Sequence, residues 1–308
     1  MITIEKLYQK PSLLLSFTGL TLAEFQKLLG QMALAEAVYK ETRLSRTNRQ
    51  RALGGGRHFT YQLAEQLLML LMYYRLYCTY TLLGFMFDVD ETTILRNIVY
   101  ISPLMTQFLP LPEKIIPAIS RIKTMPELLQ RYPELKVIID ATEQSIPRPK
   151  DKDRQQKYYS GKKKRHTIKT QITNNKMGLI LNVFGGIEGK RHDFQTFQDS
   201  GIDRKIPPGI KFEVDLGYLG IEKTVPERGC LIPFKASKYQ PLTPLLKIIN
   251  KSIAQSRILA EHVLSWLKKF RIIKETFRNR LNKHPQIFNQ IAGIVNLRTM
   301  NRLELQWD

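Results

Sequence analysis

The run Val137-Ile138-Ile139, unbroken in its apolar character and followed at once by Asp140, constrains the fold more than any other feature of the chain. Apolar residues at consecutive positions bury both faces of a strand, as in a sheet covered by helices on both sides. More strand-like runs follow. His166 to Thr173 carries Ile168 and Ile172, and Leu179 to Phe184 ends at Gly185-Gly186. Ile210, Phe212 and Val214 then alternate with Lys211, Glu213 and Asp215, and Leu231 to Phe234 is a short last strand. A short helix is expected from Phe194, and a long one from about Asn250 to Phe270.

Three strands, a helix, a strand, a connection, a strand and then helices is the order of an RNase H-like fold. In that fold the first and fourth strands are neighbours, about 4.8 Å apart. Asp140 and Asp215 then meet at one edge of the sheet. Two carboxylates so close repel each other. Divalent cations relieve the repulsion, and hard oxygen ligands with positions left for water and phosphate suit Mg²⁺. The long helix offers a third carboxylate, Glu261, within Arg257-x3-Glu261-x6-Lys268. At 100° per residue, Glu261 lies about 40° from Arg257 and Lys268 about 20° from Glu261, so all three share a face. A surface ion pair with a solvated lysine explains that helix taken alone. Beside two aspartates, the same residues read as a metal carboxylate flanked by cations that hold DNA. Such a trio can hold two ions that hydrolyse or transfer a phosphodiester. Asp193 is the rival for the second carboxylate, although capping the helix from Phe194 or supporting the site from behind suits it better. His192 reads equally as a phosphate contact and as a turn residue.

The charge agrees with a polyanionic partner. Among 308 residues, 48 Lys plus Arg stand against 27 Asp plus Glu, a net +21, and each neutralised phosphate releases a counterion. The excess is concentrated. Pro147 to Lys176 holds 11 basic residues against two acidic ones, with Tyr158 and Tyr159 interleaved, and residues 264 to 308 carry nine against three. Lys162, Lys163, Lys164 and Arg165 are expected at a hairpin tip beside Asp140, where they would bind phosphates regardless of sequence.

The N-terminal part reads as helical. Thr21 and Glu24 form a capping-box pattern at the head of a helix over 21 to 43. Arg43, Arg46, Arg49, Arg51 and Arg57 around Gly54-Gly55-Gly56 read as a basic linker or arm, or as a solvated loop. Three helices follow between 60 and 109: Tyr61 to Arg75, one opened by Thr79-Tyr80-Thr81, and Glu91 to Leu104, capped by Asp90 after the turn Asp88-Val89-Asp90. This is a helix-turn-helix pattern, in which Thr92, Thr93, Arg96 and Asn97 face DNA. The apolar stretch from Leu67 to Phe87 contains Arg75 and several tyrosines, and reads as core helices, not as a membrane span. Cys78 and Cys230 have no zinc-ligand spacing and point to a reduced compartment. The N-terminus lacks a signal-peptide pattern, so the expected location is the cytoplasm. The expected fold class is α/β: an RNase H-like domain over residues 131–308, with a mixed five-stranded sheet, helices and C-terminal helices. An all-α helix-turn-helix region over residues 1–130 precedes it.

Several motifs in order carry a family resemblance. Arg257-x3-Glu261-x6-Lys268 is joined by Ile139-Asp140-Ala141-Thr142-Glu143, Tyr159-Ser160-Gly161-Lys162-Lys163, Arg191-His192-Asp193 and Val214-Asp215-Leu216-Gly217-Tyr218. Together they resemble the DDE-type transposases of bacterial insertion sequences, in particular the IS-five family and its Harbinger-like relatives, over about residues 60 to 300. One departure is Ala254, where the family often has a tyrosine. The resemblance implies an RNase H-like core with Asp140, Asp215 and Glu261 as ligands of two Mg²⁺ ions, Mn²⁺ being a substitute. It implies cleavage of double-stranded DNA at transposon terminal repeats, transfer of the ends into target DNA, and no membrane partner. Holding two ends implies a homodimer or higher oligomer in the active complex. The alternatives are a non-catalytic DNA-binding protein derived from a transposase, and a general nuclease of the same fold. The first would have lost a carboxylate, and the second gives no reason for a helix-turn-helix region.

Overall fold

A computed structural model describes residues 2–45, 61–119, 124–237, 239 and 241–305. The basic stretch from Arg46 to Arg57 lies outside the described residues. The chain forms two compact units, the first Met1–Leu109 with Lys269–Ile272, the second Pro110–Lys268 with Ile273–Asp308.

The first unit is helical: α1 Ile4–Tyr8, α2 Pro11–Thr18, α3 Leu22–Leu44, α4 Leu63–Leu76, α5 Tyr80–Phe87 and α6 Glu91–Gln107. The capping box opens α3. The Thr21 hydroxyl accepts from the Glu24 amide, and Glu24 Oε2 accepts from the Thr21 amide at 2.7 Å. Leu67, Leu68, Leu71, Leu83, Phe87, Ile94 and Ile101 build the core around α4, α5 and α6. The turn between α5 and α6 is set by two residues. Asp88 ends α5 in the left-handed region, φ 57°. Gly84 lets the chain fold back, since a Cβ there would stand 2.5 Å from the Val89 carbonyl oxygen. Only a residue without a side chain tolerates that approach. Asp90 then caps α6, accepting from the Thr92 amide at 2.8 Å.

The second unit adds α7 Pro112–Ile119, α8 Met125–Arg131, β1 Lys136–Ser145, α9 Lys152–Tyr158, β2 Tyr159–Ser160, β3 Arg165–Asn175, β4 Ile180–Glu188, α10 Asp193–Ser200, α11 Ile202–Lys205, β5 Lys211–Glu213, α12 Ile221–Thr224, β6 Cys230–Leu231, α13 Pro244–Lys268 and α15 His284–Arg302, while the residues of α14 Arg271–Lys274 are divided between the two units. The sheet order is β4-β3-β1-β5-β6, with β2 paired to the start of β3. The pairs β1–β3 and β3–β4 are antiparallel, and β1–β5 and β5–β6 are parallel. Leaving aside the two-residue β2, this is the mixed five-stranded sheet of an RNase H-like domain. Val137 and Ile139 on β1, with Leu181, Phe197, Phe212, Val214 and Tyr218, fill its core.

Three details depart from the sequence reading. The first strand does not end at Asp140. It continues to Ser145, because Ala141 to Ser145 stay paired with Thr167 to Gln171 of β3. The long helix begins at Pro244, ahead of Asn250. Glu213, expected to alternate outward from β5, is fully buried, since Phe212, Glu213 and Val214 are all covered.

Candidate functional site

The strand register brings two of the carboxylates together. In the parallel β1–β5 pair, Lys136 faces Lys211, Val137 faces Phe212 and Ile138 faces Glu213. Two residues further along each chain are Asp140 and Asp215. Asp215 lies just past the strand, where it caps a 3₁₀ turn and its Oδ1 accepts from the Gly217 amide at 2.8 Å. Asp140 Oδ1 accepts from the Ala141 amide at 2.8 Å. The Asp140 carboxyl is pushed above the ordinary carboxylate value, first by burial and then by Asp215 and Asp193, against the opposing pull of the Ala141 amide and Arg257. Negative charge is therefore concentrated here.

Asp193 is part of this concentration. A Cβ on Gly217 would lie 2.7 Å from Asp193 Oδ2 and 2.9 Å from Asp215 Oδ1, so both carboxylates crowd one glycine. Asp193 is the first residue of α10 and not its cap, which is His192. Its side chain turns instead to Lys169 on β3, at 2.8 Å in a nearly buried ion pair. The Tyr218 hydroxyl is buried without a hydrogen-bond partner among the described residues. Its pKa is raised well above the usual value, chiefly by burial and then by Asp193, Asp140 and Asp215. Three carboxylates thus act on one enclosed point.

The helix α13 brings Arg257 to the pair, its Nη2 3.9 Å from Asp140 Oδ1. Lys268 is half-buried at the helix end. Its ammonium is held below the usual lysine value, first by burial and then by Lys163, while Asp140 pulls it the other way. Glu261 is not drawn in. It is exposed on α13, and no group of three or more His, Cys, Asp or Glu among the described residues is gathered closely enough to hold a metal ion. The donor chemistry still fits a hard divalent cation, because Asp215 and Asp193 bring further carboxylate oxygens into the field of Asp140, beside the Arg257 guanidinium. Glu261 meets that site only by turning its solvated side chain inward.

A cleft of about 1060 Å³ lies next to these residues, lined among others by Ala141, Lys162, Lys163, Asp193, Gly217 and Lys268. Lys162, Lys163 and Lys164 are exposed in the turn after β2, and Arg165 opens β3. Lys162 and Lys163 share the cleft with Ala141 and Asp193, and Lys163 acts on Lys268, while Arg165 stands off along the strand. Asp140 pairs with Ile172, seven positions beyond Arg165, or about 23 Å along the strand at roughly 3.3 Å per residue.

In the helix-turn-helix, Thr92 and Arg96 are exposed and Thr93 is half-buried. The Thr92 hydroxyl already donates to Asp90 at 2.6 Å. Asn97 does not face outward. It is buried, its Oδ1 accepting from Gln66 Nε2 at 3.3 Å and its amide reaching Met69 Sδ. Its position on α6 falls on the Ile94–Ile101 face, which packs on α4. Arg96→Ala should therefore weaken DNA binding and lower the salt slope by about one. Asn97→Ala should leave that slope unchanged and cost about 1–3 kcal/mol of stability, since it strands buried Gln66. Binding titrations at several salt concentrations, with urea melts, separate the two.

Sequence reasoning missed one cluster. Lys176 Nζ meets Glu213 Oε2 at 3.0 Å, and the Ser256 hydroxyl donates to the same oxygen at 2.8 Å. The only signal was an acidic residue between apolar neighbours on β5, which an alternating pattern disguises.

Similarity to known proteins agrees with this geometry. Residues 139–296 match the family described as "DDE superfamily endonuclease", and residues 62–110 match "Helix-turn-helix of DDE superfamily endonuclease". The chain is 32% identical over 234 residues to the "Probable transposase for insertion sequence element IS702" of Microchaete diplosiphon, covering 75% of this chain and 79% of that one. No solved structure matches. No helix among the described residues is long and apolar enough to cross a membrane. With an RNase H-like sheet, a helix-turn-helix unit and these matches along most of its length, the chain belongs to the DDE superfamily endonucleases.

Proposed function

We propose that this protein is the transposase of an insertion sequence, which cuts the ends of its element and joins them to target DNA. The observation that carries the reading is the parallel register that brings Asp140 and Asp215 together, with Arg257 against Asp140, next to a basic cleft lined by their neighbours Ala141 and Gly217. Asp140, Asp215 and Glu261 would hold divalent ions, Mg²⁺ first among them. When bound there, such ions activate the attacking hydroxyl and stabilise the departing oxygen. The chain's own residues do the rest. Arg257 and Lys268 neutralise phosphate next to the carboxylates, and Lys162, Lys163, Lys164 and Arg165 hold the backbone further along without reading sequence. Arg96 and Thr92 approach DNA from the helix-turn-helix. Asp193, paired with Lys169, keeps a carboxylate close to Asp215 while offsetting its charge.

A second reading, a DNA-binding protein without catalysis, draws on Glu261, which is exposed and joins no group of potential metal ligands among the described residues. Labelled DNA carrying the flanking ends of the protein's own gene, incubated with Mg²⁺ or Mn²⁺, separates the two. The expected result is cutting at the ends by wild type and none by Glu261→Ala, with both binding. Binding without cutting by either protein would favour the second reading. Equal cutting by both would remove Glu261 from the site, and cutting without preference for the ends would indicate a general nuclease.

A further inference from the structure

We infer that the buried Lys176–Glu213–Ser256 network positions α13, so that Arg257 is held against Asp140 and the helix face carrying Glu261 is turned to the same side; this rests on the function proposed above. Each member lies close in sequence to an element of the site. Glu213 is two residues before Asp215 on β5. Ser256 immediately precedes Arg257 on α13. Lys176 sits in the turn joining β3 to β4.

The contacts are dense and enclosed. Glu213 is fully buried and the Lys176 side chain is 8% exposed. Lys176 Nζ also donates to the Ser256 carbonyl at 3.1 Å and to its hydroxyl. The same turn holds the helix a second time. Gly178, at φ +84°, lies so close to α13 that a Cβ would stand 2.9 Å from the Trp266 ring. Glu261 falls between Ser256 and Trp266, the two points of attachment.

Stability alone does not call for such a network. Apolar residues of similar volume commonly replace a buried ion pair without loss, and Glu213 Oε1 is left without a partner among the described residues. What directional polar contacts add is register. Moving α13 by one residue shifts it about 1.5 Å and turns it about 100°. That would unpair Glu213, rotate Arg257 off Asp140 and turn the helix face that carries Glu261 away from the site. Lys176, Glu213 and Ser256 are positioning residues, since none of them touches the reacting atoms.

The test uses the full chain and Ser256→Ala, Ser256→Thr and the double variant Lys176→Met/Glu213→Leu. Three quantities are read: single-turnover cleavage of end DNA at saturating concentration, DNA affinity, and amide hydrogen exchange across residues 250–268. Ser256→Ala should cut about tenfold or more slowly, because a shift of about 1 Å among reacting groups costs up to roughly a hundredfold. It should bind DNA as wild type does, stay folded while melting somewhat lower because the buried Glu213 carboxylate loses one donor, and exchange faster in α13. Ser256→Thr should restore both rate and protection. The double variant should fold and cut as poorly as Ser256→Ala. Wild-type cleavage by both Ser256→Ala and the double variant overturns the proposal, whether or not exchange changes. Should the wild type cut no end DNA, the proposed function fails on its own. Exchange then still decides the positioning role, and unchanged protection of α13 in both variants overturns it.

Discussion

Asp140→Asn should abolish cleavage of end DNA while raising the melting temperature of the metal-free protein at pH 7. Loss of one preorganised charge-stabilising group commonly costs about 10²–10³ in rate, and a ligand of the ion that activates the nucleophile should cost at least that. The stability change follows from the same electrostatics. Burial, Asp215 and Asp193 hold the Asp140 carboxyl above its ordinary value of 3.8. An acid whose folded-state value is raised destabilises the fold when ionised. That cost is complete above the raised value and disappears as pH falls toward 3.8. Asparagine removes it, so the variant should melt higher at neutral pH, by a margin that shrinks as the solution is acidified. Added Mg²⁺ should stabilise the wild type by mass action and leave the variant unmoved. A variant that cuts at the wild-type rate, or that gains equally from Mg²⁺, would remove Asp140 from the metal site. A group that aids function at a cost to the empty fold is expected of a site built from converging like charges.

The sequence carried the fold through its strand patterns and the site through its spacing, but to different depths. Val137-Ile138-Ile139 could hardly be anything but a strand buried on both sides, and Thr21 with Glu24 marked a helix start by local hydrogen bonding alone. Such signals depend on neighbours in the chain. Where β1 ends depends on β3, more than twenty residues away, so pairing beyond Asp140 left no local mark. Arg165 was accordingly placed too near the carboxylates. Asn97 shows the same limit at single-residue scale. A polar residue on a recognition helix reads as a DNA contact until α4 supplies Gln66 as its partner. Glu213 is the sharpest case. Its neighbours alternate like a half-exposed strand, and only the arrival of Lys176 and Ser256 makes a buried carboxylate tolerable. The family matches extend over most of the chain, yet the placement of Glu261 on an exposed face is a tertiary fact that no motif carries.

Lys176→Met should be among the most destabilising single substitutions in the second unit. It removes the only cation paired with Glu213 among the described residues, leaving a fully buried carboxylate with the Ser256 hydroxyl alone. Breaking one side of a buried pair costs about 3–5 kcal/mol, because the remaining charge keeps its desolvation penalty and loses its compensation. For a unit of this size, about 2–4 °C of melting temperature goes with each kcal/mol, so a fall of roughly 6–20 °C is expected. Replacing Glu213 with Leu in the same chain removes the stranded charge and should recover most of that loss. The coupling energy from a double-mutant cycle should accordingly be large and favourable, well beyond the about 0.3–0.5 kcal/mol of independent sites. Thermal melts of the wild type, both single variants and the double variant measure it directly. Additive losses would mean that Lys176 and Glu213 do not depend on each other. If stability returns in the double variant while cleavage stays low, the charges serve the register of α13 and not the strength of the fold, because an apolar pair packs the same space but lets the helix slide.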